Sequence, residues 1–250
     1  MNTKWAMVTG ASAGLGLEFA TQLAQSGYSV VLVARNEQAL AAVAHDLSTR
    51  CHVSCEVVAA DLLKESDRQR VIDRLVSDDD PIDVLVNNAG WGLSDDFHES
   101  LWSAEKDHHD IHVSIPLELT HRIIPLMRKR GGGRVVVVSS VAAFLSRGAY
   151  SAAKRYWVTM ARSLTAAYRA NGVSVTAVCP GFTKTEFHQR MGMNVSGVPR
   201  IAWLRADRVA ATGLRHTFRG KAVSIPSIRY RVLVALAPLI PTRFHRVDVD

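Results

Sequence analysis

The chain has 250 residues, 48% hydrophobic and 21% charged, with a formal net charge of +7. That composition suits one large or two small globular domains and excludes a disordered or fibrous chain. The basic residues are scattered, the longest run being Arg128-Lys129-Arg130. No zinc-finger spacing or aromatic-basic interleaving accompanies them, which sets nucleic-acid binding aside. No apolar run is long enough to span a membrane. Cys51, Cys55 and Cys179 form no paired cluster with His or Cys, so no metal site is expected. A reduced, cytoplasmic protein without a leader peptide is the expectation.

In chain order, short β-rich runs at 5–8, 29–34, 53–59, 84–87, 134–139, 173–178 and 222–225 read as strands. Helical spacing fills the gaps, at 15–26, 37–47, 68–76, 104–130 and 150–170. Continuous apolar runs such as Val135-Val136-Val137-Val138 suit a sheet covered on both faces. Strand and helix alternate throughout, which predicts one α/β domain over residues 1–250, a Rossmann-type doubly wound parallel sheet of about seven strands. Ligands bind such sheets at the carboxyl ends of the strands.

After the first strand stands Thr9-Gly10-Ala11-Ser12-Ala13-Gly14-Leu15-Gly16, opening a helix. Glycines let the backbone turn tightly and lie against a ligand. The helix start offers unpaired N–H groups to a pyrophosphate. An ordinary strand-to-helix turn is the plainer alternative. The second strand ends in Ala34-Arg35-Asn36, with no acid for a ribose hydroxyl. A guanidinium there suits a 2′-phosphate, with the Ser12 hydroxyl beside it, so NADP(H) is expected over NAD(H).

The fifth strand ends in Ser139-Ser140, and a long helix follows with Tyr150 and Lys154 on one face. An ammonium beside a phenol favours phenolate, making a proton carrier usable near neutral pH. Ser140 is placed to bond a substrate carbonyl, and Ser139 is read as a strand-end cap.

Together these residues resemble the short-chain dehydrogenase/reductase family, NADP-preferring branch, across essentially the whole chain. The glycine turn matches at Thr9, Gly10, Gly14 and Gly16. Further matches are Asp61-Leu62, Asn87-Asn88-Ala89-Gly90, Ser140, Tyr150 with Lys154, and Pro180-Gly181 with Thr185. The resemblance implies an Asp61 contact to adenine, with Asn88, Ala89 and Gly90 alongside the cofactor. It also implies Lys154 on the nicotinamide ribose, and a loop from Pro180 through Thr183 to Thr185 over the carboxamide. Tyr150 would be general acid and base in an NADP(H)-dependent interconversion of a carbonyl and a secondary alcohol. A homodimer or homotetramer built on the helices at 104–130 and 150–170 is implied as well, with Trp157, Met160, Ala161 and Leu164 serving core or interface.

Two departures stand out. Where the family has an asparagine whose main-chain carbonyl holds a water of the lysine relay, this chain has His112. Pro116, lacking an N–H, is expected to free the His112 carbonyl, bend the helix and keep that water, with His112 tolerated or joining the relay; the alternative is that His112 only packs and the relay is impaired. The connection from Ser140 to Tyr150 is also short. A catalytically weak NADP-binding sensor or scaffold is the rival reading.

Residues 182–204 read as a substrate lid, with Phe187, Met191, Met193, Val195 and Trp203, and with Gly192 and Gly197 as hinges. Together with Trp91, Phe144 and Leu145 they suggest a hydrophobic carbonyl or alcohol substrate; core or interface packing is the alternative. Residues 226–250 form a C-terminal extension. Its run Val232-Leu233-Val234-Ala235-Leu236-Ala237, beside Arg229, Arg231, Arg243 and Arg246, is expected to pack on the lid or a partner subunit. Contact with an anionic membrane surface is the alternative.

Overall fold

The computed structural model describes residues 3–93, 97–146, 148–185 and 197–237. Period-two alternation sorts the strand residues into two cores. In β1 (Trp5–Thr9), Met7 joins one apolar cluster while Ala6 and Val8 join the other. In β2 (Ser29–Ala34), Val31 and Val33 face the first cluster and Val30 and Leu32 the second. Strands buried on both faces cannot alternate apolar with polar, which is why they read as continuous hydrophobic runs.

The remaining strands of the main sheet are β3 (Cys55–Ala59), β4 (Ile82–Asn87), β5 (Gly133–Val138), β6 (Val173–Val178) and β9 (Val223–Ser224). All seven are parallel, in the order β3-β2-β1-β4-β5-β6-β9. This is a single α/β domain with a Rossmann-type sheet. The order in which strands are added reverses between β1 and β4, which opens a crevice at their carboxyl ends. A separate two-strand pair, β7 (Thr183–Lys184) with β8 (Leu204–Arg205), was not predicted.

One face carries α1 (Gly14–Gln25), α2 (Glu37–Cys51) and α7 (Ala206–Phe218). The other carries α3 (Glu65–Val76), α4 (Trp102–His109), α5 (Ile115–Lys129) and α6 (Gly148–Tyr168). Strand β3 begins two residues later than expected. The predicted helix over 104–130 is two helices joined by a π-turn at Asp110–Ser114, in which the Ile115 N–H reaches back to the Asp110 carbonyl. Pro116, in the first turn of α5, has no N–H to give the His112 carbonyl, and the extra residue of the π-turn takes up the mismatch. A last helix, α8 (Ile228–Leu236), lies beyond β9.

Candidate active site

The crevice between β1 and β4 is closed at its floor by hydrogen bonds. The buried Thr9 hydroxyl donates to the Val86 carbonyl at 3.3 Å and accepts the Asn88 and Ala89 N–H groups at 2.9 and 3.1 Å. The Asn88 amide donates in turn to the Thr9 and Gly10 carbonyls. Thr9 and Asn88 therefore brace the glycine loop against β4.

Gly10 and Gly14 stand at φ +68° and +58°, the left-handed region glycine favours. A Cβ on Gly16 would lie 2.1 Å from the Gly10 carbonyl oxygen, so that position admits no side chain. Leu15 packs half-buried between them on the α1/α2/α7 core. The N-cap of α1 is Ala13, whose side chain offers no acceptor to the first N–H groups of the helix. This cradle fits a phosphate group. Ser12 sits half-buried in it. Thr185 lies across the loop, its side chain 3.4 Å from where a Gly14 Cβ would be.

Along the same edge, Arg35 is exposed at the end of β2, and Asn36 caps α2 by accepting the Ala39 N–H. Asp61 accepts the Leu63 N–H at 3.2 Å, with Leu62 buried beside it. Pro180 and Gly181 follow β6. The Pro180 carbonyl accepts the Val141 N–H, and the Thr183 hydroxyl donates to the Gly181 carbonyl.

The opposite wall is built on β5 and α6. The Ser139 hydroxyl is buried and donates to the Lys154 carbonyl at 2.8 Å. Ser140 is half-buried, caps the short 3-10 turn Val141–Phe144 and accepts the Ala142 N–H. The shortened connection is thus taken up by this turn, and α6 starts at Gly148 with φ +63°. Tyr150 in the first turn and Lys154 one turn on share a face, with the Lys154 Nζ 5.5 Å from the Tyr150 ring centre.

Lys154 is buried, and among the described residues no carboxylate pairs with it. It donates to the Val138 carbonyl at 2.8 Å, and its Nζ stands 3.0 Å from His112 Nδ1. Burial lowers its pKa from 10.5 to about 7. The other imidazole nitrogen, Nε2, is 2.5 Å from the Trp91 carbonyl. A carbonyl only accepts, so Nε2 carries the hydrogen and Nδ1 accepts from the Lys154 ammonium. Burial and the adjoining ammonium hold the His112 pKa well below 6.5, so the ring is neutral. Gly90 makes room for this ring, since a Cβ there would lie 2.2 Å from His112 Cε1.

The freed His112 carbonyl, expected to hold a water, accepts the Trp157 indole N–H at 2.8 Å, which takes one of its two lone pairs. The link to Lys154 runs through the imidazole itself. Trp157 and Ala161, left open between core and interface, are fully buried in their own core.

Sequence reasoning missed His108. It is buried on α4, its ring centre 4.5 Å from that of His112 and 6.0 Å from that of Tyr150. Burial, with the Lys154 charge, lowers its pKa to about 4. Four-residue spacing to His112 was the available signal. Phe187, Met191, Gly192, Met193, Val195, Arg243 and Arg246 lie outside the described residues. Trp203 packs on Phe182 with ring centres 5.7 Å apart.

A doubly wound parallel sheet, a phosphate-fitting glycine loop, and a serine, tyrosine and lysine facing it across the crevice define a dinucleotide-dependent class of oxidoreductase. The chain belongs to the short-chain dehydrogenase family, whose profile matches residues 4–195. A dehydrogenase/reductase SDR family member 4 from Oryctolagus cuniculus is 34% identical over 203 residues, 75% of this chain and 74% of that protein. A short-chain dehydrogenase from Sphingobium yanoikuyae, solved in complex with NADPH, superposes with a TM-score of 0.85 at 28% identity, covering 94% of each chain. A bulky-bulky ketone specific alcohol dehydrogenase from Comamonas testosteroni superposes at 0.81 with 25% identity, covering 95% of this chain and 93% of that one.

Proposed function

We propose that the protein is an NADP(H)-dependent reductase of a hydrophobic ketone, also running the reverse oxidation of the secondary alcohol. The observation that carries this reading is Lys154, buried beside Tyr150 and held by Val138 and His112. An ammonium so placed draws the phenol pKa down toward the working range. Bound nicotinamide would supply the hydride. Tyr150 then gives its proton to the carbonyl oxygen while Ser140 donates a hydrogen bond to it, so that carbonyl, hydride and proton become alcohol. His112 positions Lys154 by accepting one of its N–H groups.

The cradle of Gly10, Gly14, Gly16, Ser12 and Thr185 would hold the pyrophosphate, with Asp61, Ala89 and Gly90 along the adenine and ribose. Lys154 would also hold the nicotinamide ribose. Exposed Arg35, with no acid beside it, favours a 2′-phosphate, in keeping with the NADPH-bound relative. The relative acting on bulky-bulky ketones supports a hydrophobic substrate, whose pocket the half-buried Trp91, Phe144, Leu145 and Trp203 would line. The subunit pairing implied for α5 and α6 would use the half-buried Met160 and Leu164.

The test follows NADPH and NADH oxidation against a panel of hydrophobic ketones, with Tyr150→Phe alongside. The expected outcome is NADPH-dependent turnover that falls about 10²–10⁴-fold in the variant, with NADPH binding intact. Tight NADPH binding with no turnover of any ketone or alcohol would favour the sensor reading.

A further inference from the structure

Helix α8 has nine residues and buries one of them, Tyr230. The Tyr230 ring lies on Gly181, where a Cβ would come within 2.0 Å of it, and its hydroxyl bonds the Phe182 N–H and the Ala202 carbonyl. That clamp fixes which way the helix faces. Ile228, Val232 and Leu236, at four-residue spacing, are 74, 54 and 50% exposed, with Leu233 at 40%. Ile201 is 67% exposed, and its carbonyl accepts a hydrogen bond from Arg229. Five apolar side chains thus face outward on one small surface, more than scattered exposure explains.

Charge is concentrated in the same part of the chain. Residues 197–237 contain eight arginines and lysines and one acid, Asp207, so they carry a net +7, equal to that of the whole protein. All eight are exposed. Asp207 is tied to Arg205, and no other acid occurs before Asp248. Arg229 and Arg231 flank the apolar stripe, and Arg231 is anchored on the Ile225 carbonyl at 3.0 Å.

We infer that α8 and the turn at Ile201 form a docking surface for an anionic lipid bilayer. The apolar stripe would enter the headgroup boundary while the flanking arginines meet lipid phosphates and carboxylates. No described helix is long and apolar enough to cross the membrane, so the contact is one of surface seating. A second copy of the chain fits less well. A self-complementary contact would bring arginines against arginines with no acid on the helix to separate them. Through Tyr230, the surface sits on the loop at Gly181 and Phe182, so a substrate dissolved in the bilayer would arrive beside the candidate site.

The test sediments the full-length protein with vesicles of phosphatidylcholine alone and of phosphatidylcholine mixed with phosphatidylserine, at low and high salt. Binding that needs phosphatidylserine, weakens with salt and falls roughly tenfold or more in Ile228→Ser/Val232→Ser supports the inference. The melting temperature of the variant checks its fold, and Val232→Glu, which adds an acid at an exposed position, is a second probe. Absence of binding, or binding untouched by both variants, overturns it. So does a solution mass above that of the monomer that drops when Ile228 and Val232 are replaced, because the face then belongs to a second copy. None of these outcomes depends on turnover, so they stand apart from the reductase reading.

Discussion

The two walls of the crevice are built by different means. Along β1, α1 and β4 the chain comes close to itself where side chains are missing or small: Gly16 lies against the Gly10 carbonyl, and the Asn88 amide and Thr9 hydroxyl each bond the other residue's backbone. Every polar atom named there is neutral. Along β5, α6 and the π-turn the chain is held by buried ionisable side chains, Lys154 among His112, His108 and Tyr150, with the Cys179 thiol behind it. The first wall tolerates no added atom. The second tolerates changes of shape but depends on which atoms carry protons. Errors in the first should therefore appear as lost folding or cofactor binding, and errors in the second as altered pH dependence.

The largest effect should come from Gly16→Ala. Its Cβ meets a backbone oxygen that cannot move aside, and we expect a loss of about 3 kcal/mol or more in urea melts, with NADPH binding abolished. A variant of near-parental stability would show that the loop is looser than its geometry. Next is His112→Phe, which keeps a ring but leaves Lys154 and the Trp91 carbonyl without their partner. Turnover should fall about 10–100-fold, and the alkaline limb of the pH profile should move to lower pH, because an ammonium without an acceptor gives up its proton sooner. His112→Asn supplies another acceptor and should keep most activity; a large gain over the parent would count against a positioning role. Arg35→Gln should raise the NADPH KM about tenfold and leave that for NADH unchanged. Equal changes for both cofactors would remove the 2′-phosphate assignment.

The smallest effect separates the walls by stability alone. Folding holds Lys154 near 7 against 10.5, and both histidines below 6.5. The folded chain thus binds fewer protons than the unfolded one between those values, and its stability without cofactor rises with pH. The histidines contribute below about pH 6.5 and Lys154 contributes above about pH 7, each by at most about 1.4 kcal/mol per pH unit. Melts at about pH 5, 7 and 9 check this, and Lys154→Met should flatten the upper part most, with a smaller change in the lower part because the ammonium also holds the histidines down.

Much of the first wall was legible in the sequence. Glycine spacing after a strand, the apolar runs of β1, β2 and β5, and the basic residue ending β2 each have a local cause. Of the second wall, Tyr150 and Lys154 were legible because α-helical spacing puts them on one face. The π-turn was not, since apolar periodicity cannot separate a wide turn from an α-helical one, and so 104–130 read as one helix. His108 escaped because a buried polar residue breaks the hydrophobic pattern that marks a core position. The Trp157 bond to the His112 carbonyl joins residues far apart in the chain, which no spacing encodes. The two-residue strands β7 and β8 are too short to show any period.

The Trp91 carbonyl has a consequence for where protons come from. An amide oxygen can accept a hydrogen bond but cannot hand a proton on. On the reading proposed above, a proton passing from Lys154 to His112 reaches a dead end at Trp91 and has to return. The imidazole, held neutral, thus accepts the Lys154 hydrogen bond without relaying a proton onward. On that reading each turnover's proton would enter from the crevice side, and the exchange of protons with solvent would be slowest while the cofactor is in place.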